Sequence, residues 1–235
     1  MLVVDDVHTY YGEGYVLQGV SLTVGKQALV VVLGRNGVGK TTLIRTVIAF
    51  TPARRGRVLY DGVDVTRWPA HRIVRSGIGL VPQGRRIFPS LTVREHLEIA
   101  GRPAAPTEAS SPWDLDRALD LFPRLRERAS SRAATLSGGE RQMLAVARAL
   151  VGNPRFLLMD EPTEGLSPYL VEELKELIRG LKRSGLAFLL VEQNLEFALD
   201  VADYVYVMDK GKIVYQATPK ELLANDRIKE TYLGI

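Results

Sequence analysis

The run Gly34-Arg35-Asn36-Gly37-Val38-Gly39-Lys40-Thr41-Thr42 sits between the apolar stretch Ala28 to Leu33 and the helix-like stretch Leu43 to Ile48. A strand, a glycine-rich turn and a helix start in that order make a phosphate cradle. Glycines let successive backbone N–H groups converge, and the helix N-terminus adds partial positive charge. Glycine-rich turns also serve ordinary strand-to-helix connections, but here the flanking strand and helix favour phosphate. Lys40 is expected to reach the outer phosphates of a nucleotide, and the Thr41 hydroxyl to ligate the Mg²⁺ that bridges them.

The rest of the chain must be compatible with that site. With 46% hydrophobic and 25% charged residues over 235 positions, the composition is that of a soluble globular protein with one large or two small cores. No apolar run approaches the roughly 20 residues needed to cross a bilayer, and Met1 to Asp6 lacks a signal peptide's basic start and long apolar core. A cytoplasmic location is the expectation. The absence of cysteine excludes disulfides, thiolate metal sites and cysteine nucleophiles, and His8, His71 and His96 are too scattered for a histidine metal cluster. Any metal is therefore expected on oxygen ligands. The net charge of +4 is too small and dispersed to select a nucleic-acid, acidic or membrane partner.

Residues 2 to 33 read as strands punctuated by Gly12-Glu13-Gly14 and Gly25-Lys26. Tyr11 reads first as strand packing and second as an aromatic able to stack on a base. Gly56 to Val65 alternates around Asp61-Gly62, a strong hairpin signal. A helix over Pro69 to Ser76 and a short strand from Ile78 to Pro82 then lead to Gln83. Gly84 to Leu91 mixes basic and apolar residues without a period, which suggests a loop that touches something.

Thr92-Val93-Arg94-Glu95 has capping-box spacing for a helix reaching about Ala100. Residues 101 to 113, rich in Pro, Ala and Ser, read as a surface connection. From Asp114 to the mid-150s the pattern is helical, interrupted at Leu136 to Glu140. Phe156 to Met159 then reads as a buried strand delivering Asp160 and Glu161 at its C-terminal edge, where parallel α/β sheets bind ligands. Helix and strand alternate from Tyr169 to Met208, implying a parallel sheet with covering helices. Lys212 to Ala217 is a last strand, and Thr218 to Glu221 starts a capped helix.

Beside a nucleotide, Asp160 suits holding Mg²⁺, and Glu161 suits orienting and polarising the attacking water at the γ-phosphate. An acidic pair at a strand end otherwise serves as a cap or a solvated turn; the phosphate loop favours catalysis. Leu136-Ser137-Gly138-Gly139-Glu140-Arg141-Gln142 is a second glycine-rich helix start. Alone it is a helix cap. With the loop and the acidic strand it resembles the signature motif of ATP-binding cassette (ABC) proteins, and the resemblance covers nearly the whole chain.

The resemblance implies an α/β phosphate-loop NTPase core with a mainly parallel sheet, an N-terminal antiparallel β subdomain and an inserted α-helical subdomain. It divides the single domain into 1–85 with 155–235, and 86–154. It also implies a head-to-tail dimer, identical or paralogous, that sandwiches ATP between the loop Gly34 to Thr42 of one subunit and Ser137, Gly138 and Gly139 of the other. Tyr11 becomes the adenine-stacking aromatic, and Gln83 the glutamine sensing Mg²⁺ and water. Gly84 to Leu91 becomes the surface that receives a membrane permease subunit, on the inner face of the cell membrane. No nucleic acid is expected.

Two positions depart from the family pattern. Ser167 stands where an aspartate usually communicates across the dimer. Gln193 stands where a histidine usually contacts the γ-phosphate; its amide can donate a hydrogen bond but cannot become cationic. Val81 to Phe88, Leu121 to Leu125 and Leu190 to Asn194 together resemble the ATPase subunits of branched-chain amino-acid importers. Two alternatives stand beside that reading: a soluble ABC ATPase acting on nucleic acid or ribosomes, and a regulatory module that binds ATP without turnover.

Overall fold

The computed structural model describes residues 1–101 and 112–234. In chain order it begins with β1 (Leu2–Tyr11), β2 (Gly14–Val24), β3 (Leu29–Leu33), α1 (Lys40–Val47), β4 (Arg55–Tyr60), β5 (Val63–Asp64), α2 (Ala70–Arg75), β6 (Ile78–Val81) and α3 (Val93–Ala100). There follow α4 (Leu115–Leu121), α5 (Pro123–Glu127), α6 (Gly138–Leu150), β7 (Phe156–Asp160), α7 (Pro168–Arg183), β8 (Ala187–Glu192), α8 (Leu195–Val201), β9 (Tyr204–Asp209), β10 (Lys212–Ala217), α9 (Pro219–Leu223) and α10 (Asp226–Ile228).

The strands form two sheets. An antiparallel sheet has the order β2-β1-β4-β5, and a six-stranded sheet has the order β10-β9-β3-β8-β7-β6. The second is parallel except where β10 returns along β9. This is the α/β class expected from the sequence. The hairpin at Asp61-Gly62 forms because both residues take left-handed backbone angles, φ 48 and 81, which match the twist of the flanking strands.

β3 is apolar throughout, and β7 and β8 are apolar up to the carboxylates Asp160 and Glu192 that end them, because both faces of these strands are covered. Val31, Leu33, Leu157, Met159, Phe188 and Leu190 point into a core shared with Leu144 and Val146 of α6 and with Leu174 and Ile178 of α7. The alternate residues Val30, Val32, Phe156, Leu158, Leu189 and Val191 face a second core with Leu43 and Ile44 of α1 and the inner face of the antiparallel sheet. Thus α1 lies between the two sheets, and a buried hydrogen bond of 2.9 Å between the hydroxyls of Thr9 and Thr46 ties it to β1.

The helical stretch expected from Asp114 to the mid-150s is broken earlier than at Leu136. Pro123 cannot donate a backbone N–H and starts a new helix at its first position, separating α4 from α5. A single 3₁₀ turn, Ala133–Thr135, then precedes α6. Residues 102–111, most of the expected surface connection, lie outside the described residues.

Candidate nucleotide site

The site is built where β3, β6, β7 and β8 end on one edge of the parallel sheet. β3 stops at Leu33, and Gly34 follows in a space too tight for a side chain. A Cβ there would come 2.5 Å from the carbonyl oxygen of Met208 and 2.8 Å from Val38 Cγ2. Gly37 and Gly39 take φ 82 and 115, conformations that L side chains rarely adopt. Val38 anchors the loop in the core, while Arg35, Asn36 and Gly37 are exposed. Gly39 caps α1 without a side-chain hydrogen bond, and the first turn holds no acid. The positive end of α1 is therefore left for an anion, which suits a phosphate.

Lys40 folds back over this loop. Its Nζ donates to the carbonyls of Gly34 at 2.7 Å and Arg35 at 2.9 Å, and it pairs with Glu161 Oε1 at 2.9 Å. Next to it the Thr41 hydroxyl donates to Asp160 Oδ1 at 3.1 Å and lies 3.4 Å from Gln83 Oε1. Thr42 is buried. Gln83 Nε2 donates to Glu161 Oε2 at 3.0 Å and to Glu164 Oε2 at 3.2 Å. Lys40, Thr41, Gln83, Asp160 and Glu161, from three separate stretches of sequence, thus form one hydrogen-bonded network.

Burial pushes the Asp160 carboxyl up to about 6, and the neighbouring Glu161 charge adds to the rise. A hydroxyl, an amide oxygen and one carboxylate form a hard-oxygen donor set, which suits a magnesium ion that keeps waters and phosphates as its other ligands. Glu161 sits just past β7 at φ 47, and its N–H donates to Val191 O at 2.9 Å. That left-handed step turns its side chain from the strand direction towards Lys40.

The remaining expected residues lie apart from this network. Tyr11 is exposed at the end of β1, with its hydroxyl 3.5 Å from that of Thr51 and the Arg45 guanidinium 5.8 Å from its ring centre. Ser137 caps α6 through a capping box with Glu140, at 3.2 Å and 2.7 Å. Gly139 is buried where a Cβ would come 2.3 Å from Leu170 Cδ1. Among the described residues no hydrogen bond or ion pair joins Ser137, Gly138 or Gly139 to the loop 34–42. Gln193 is exposed, and its backbone N–H donates to Glu192 Oε2. Ser167 precedes α7 as its cap residue.

Sequence reasoning missed three supporting residues. Glu164 joins the network through Gln83. Arg85 donates to the Glu164 carbonyl at 3.1 Å, and its guanidinium lies beside Gly138. Arg148 on α6 donates to the carbonyls of Arg86 at 2.8 Å and Arg85 at 3.1 Å. The basic composition of Gly84 to Leu91 was a signal for Arg85; nothing in the pattern of α6 marked Arg148.

The ABC transporter family pattern matches residues 17–164. The chain is 43% identical over 234 residues to the high-affinity branched-chain amino acid transport ATP-binding protein BraG of Pseudomonas aeruginosa, covering 100% of both. It is 36% identical over 221 residues to the lipopolysaccharide export system ATP-binding protein LptB of Escherichia coli K12, covering 93% of this chain and 91% of that one. Among solved structures, the ADP conformation of an ATP-binding cassette of an ABC transporter superposes with a TM-score of 0.84 at 29% identity, covering 98% and 97% of the two chains.

Proposed function

Since the chain belongs to the ABC transporter family and is one of its ATP-hydrolysing subunits, we propose that it powers an importer of branched-chain or related hydrophobic amino acids. The likeness to BraG over the full length of both chains carries this reading. The weaker likeness to LptB supports a second one, an ATPase for export.

In the proposed cycle the N–H groups of Gly34 to Thr42 and the Lys40 ammonium bind the ATP phosphates, and Tyr11 stacks on the adenine. Thr41, Gln83 and Asp160 would hold Mg²⁺, which when bound neutralises phosphate charge. Glu161 takes the proton of the attacking water. The Gln193 amide donates to the γ-phosphate. Ser137, Gly138 and Gly139 act on the ATP of a second subunit, identical or paralogous, where the N-terminus of α6 completes the charge cage. Residues 86–154 form the helical subdomain that carries this motif, and 1–85 with 155–235 form the core. Gly84 to Leu91 receives the permease at the inner face of the membrane. Among the described residues no helix is long and apolar enough to cross a membrane, which is consistent with a peripheral subunit.

The test is uptake of labelled leucine, isoleucine and valine by cells lacking the gene. The expected result is lost uptake, restored by the wild type and not by Glu161→Gln. Unchanged uptake together with co-purification of an export permease would favour the second reading.

A further inference from the structure

Glu192 closes β8 as a charged residue in an otherwise apolar strand, with 1% of its surface exposed. Burying a carboxylate is costly unless it is fully hydrogen-bonded. Here Oε1 accepts from the Thr163 N–H at 3.0 Å and the Thr163 hydroxyl at 2.7 Å. Oε2 accepts from the N–H groups of Gln193 at 2.8 Å and Asn194 at 3.0 Å. Its own carbonyl accepts from Gly34 N–H at 3.3 Å. No ion pair to Glu192 occurs among the described residues.

These partners belong to three segments of the site. Gly34 opens the phosphate loop. Thr163 lies in the turn 161–164, closed by the Glu164 N–H donating to Glu161 O at 3.1 Å, whose two carboxylates also hold Gln83. Gln193 and Asn194 form the segment that faces the γ-phosphate in the proposed cycle. An ionised carboxylate is acceptor-only and offers about four lone-pair sites, one for each donor present. Glutamine offers one acceptor oxygen, so its amide hydrogens would meet the donors of one of the two segments.

We propose that Glu192 is a positioning residue for hydrolysis, clamping the turn that carries Glu161 to the segment that carries Gln193. The proposal rests on the hydrolytic roles given above to those two residues. A clamp of this kind leaves ground-state nucleotide binding to the loop and acts on the alignment of groups around the reacting phosphate.

The experiment compares kcat and nucleotide Kd for the full chain, for Glu192→Gln, for Gln193→Ala and for the double variant. Glu192→Gln is expected to lower kcat by about 10- to 100-fold with Kd within about twofold. In the Gln193→Ala background the same change is expected to cost less than about threefold, because the group it aligns is gone. Losses that multiply in full, wild-type turnover in Glu192→Gln, or a Kd that weakens while kcat holds would each overturn the proposal. If Glu192→Gln does not fold, Thr163→Val, which deletes one donor and keeps the β-branched shape, carries the same comparison. Should Gln193→Ala alone turn over normally, the role given to Gln193 falls, and the clamp is judged on the split between kcat and Kd in Glu192→Gln.

Discussion

The buried Lys40 ammonium and the partly buried Glu161 carboxylate form an ion pair, 2.9 Å apart, at the point where the phosphate loop faces the end of β7. The lysine proposed to bind phosphate and the proposed base are thus each other's partners. A phosphate entering the loop competes with Glu161 for Lys40 and is repelled by its charge. Glu161→Gln removes both obstacles as well as the base. It should abolish turnover and tighten ATP binding by about tenfold, or about 1.4 kcal/mol. Thermal shifts with and without ATP check this: the shift should be larger in the variant, and equal shifts would refute the competition.

The raised Asp160 carboxyl makes a prediction with a definite sign. Its folded-state value of about 6 lies above its ordinary 3.8, so the unfolded chain gives up this proton more readily than the native one. The native state is penalised as pH rises between those values, and fully above about 6. Asp160→Asn should therefore stabilise the magnesium- and nucleotide-free protein by about 1–3 kcal/mol at about pH 7.5, with the gain fading by about pH 4. Denaturant unfolding at both pH values measures it; a gain independent of pH would contradict the assignment.

Gly34→Ala should deform the loop rather than the sheet. Its Cβ would meet the Met208 carbonyl at 2.5 Å, and that carbonyl belongs to a paired strand and does not yield. A loss of about 1–3 kcal/mol in stability follows, with nucleotide affinity falling alongside. Calorimetric titration with ADP reads the second effect; wild-type affinity would show that the loop tolerates the shift.

Gly84, Arg85 and Arg86 are three consecutive residues with left-handed φ of 70, 65 and 44, and the fork of Arg148 holds the last two by their carbonyls. Burial lowers the pKa of Arg148, but its planar fork still matches two adjacent acceptors where a lysine would serve one. Arg148→Ala should raise amide exchange across 84–91 by about tenfold, the loss of roughly one charged hydrogen bond. Exchange in β7 should change little. If 84–91 were unaffected, Arg148 would not be what holds the loop.

Much of this was legible in the sequence because the signals were local. The loop Gly34 to Thr42 carries its own glycines, and the capping boxes at Thr92, Ser137 and Thr218 each close within four residues. Apolar runs fixed β3, β7 and β8 because strands covered on both faces leave no polar alternation to misread. What stayed hidden depends on contacts across the chain. Arg148 meets residues about 60 positions earlier, and Glu192 meets Thr163 across 29. Gln83 shows both sides of this: its place at a strand end was readable, whereas its second partner, Glu164, was not.

Glu161 reaches its place only because its backbone adopts φ 47, a conformation that costs an L-residue about 1–2 kcal/mol and glycine almost nothing. Glu161→Gly would relieve that strain, but it would also leave the buried Lys40 ammonium without its carboxylate and take one partner from Gln83, so the strained turn is held in place by the same contacts that aim the proposed base.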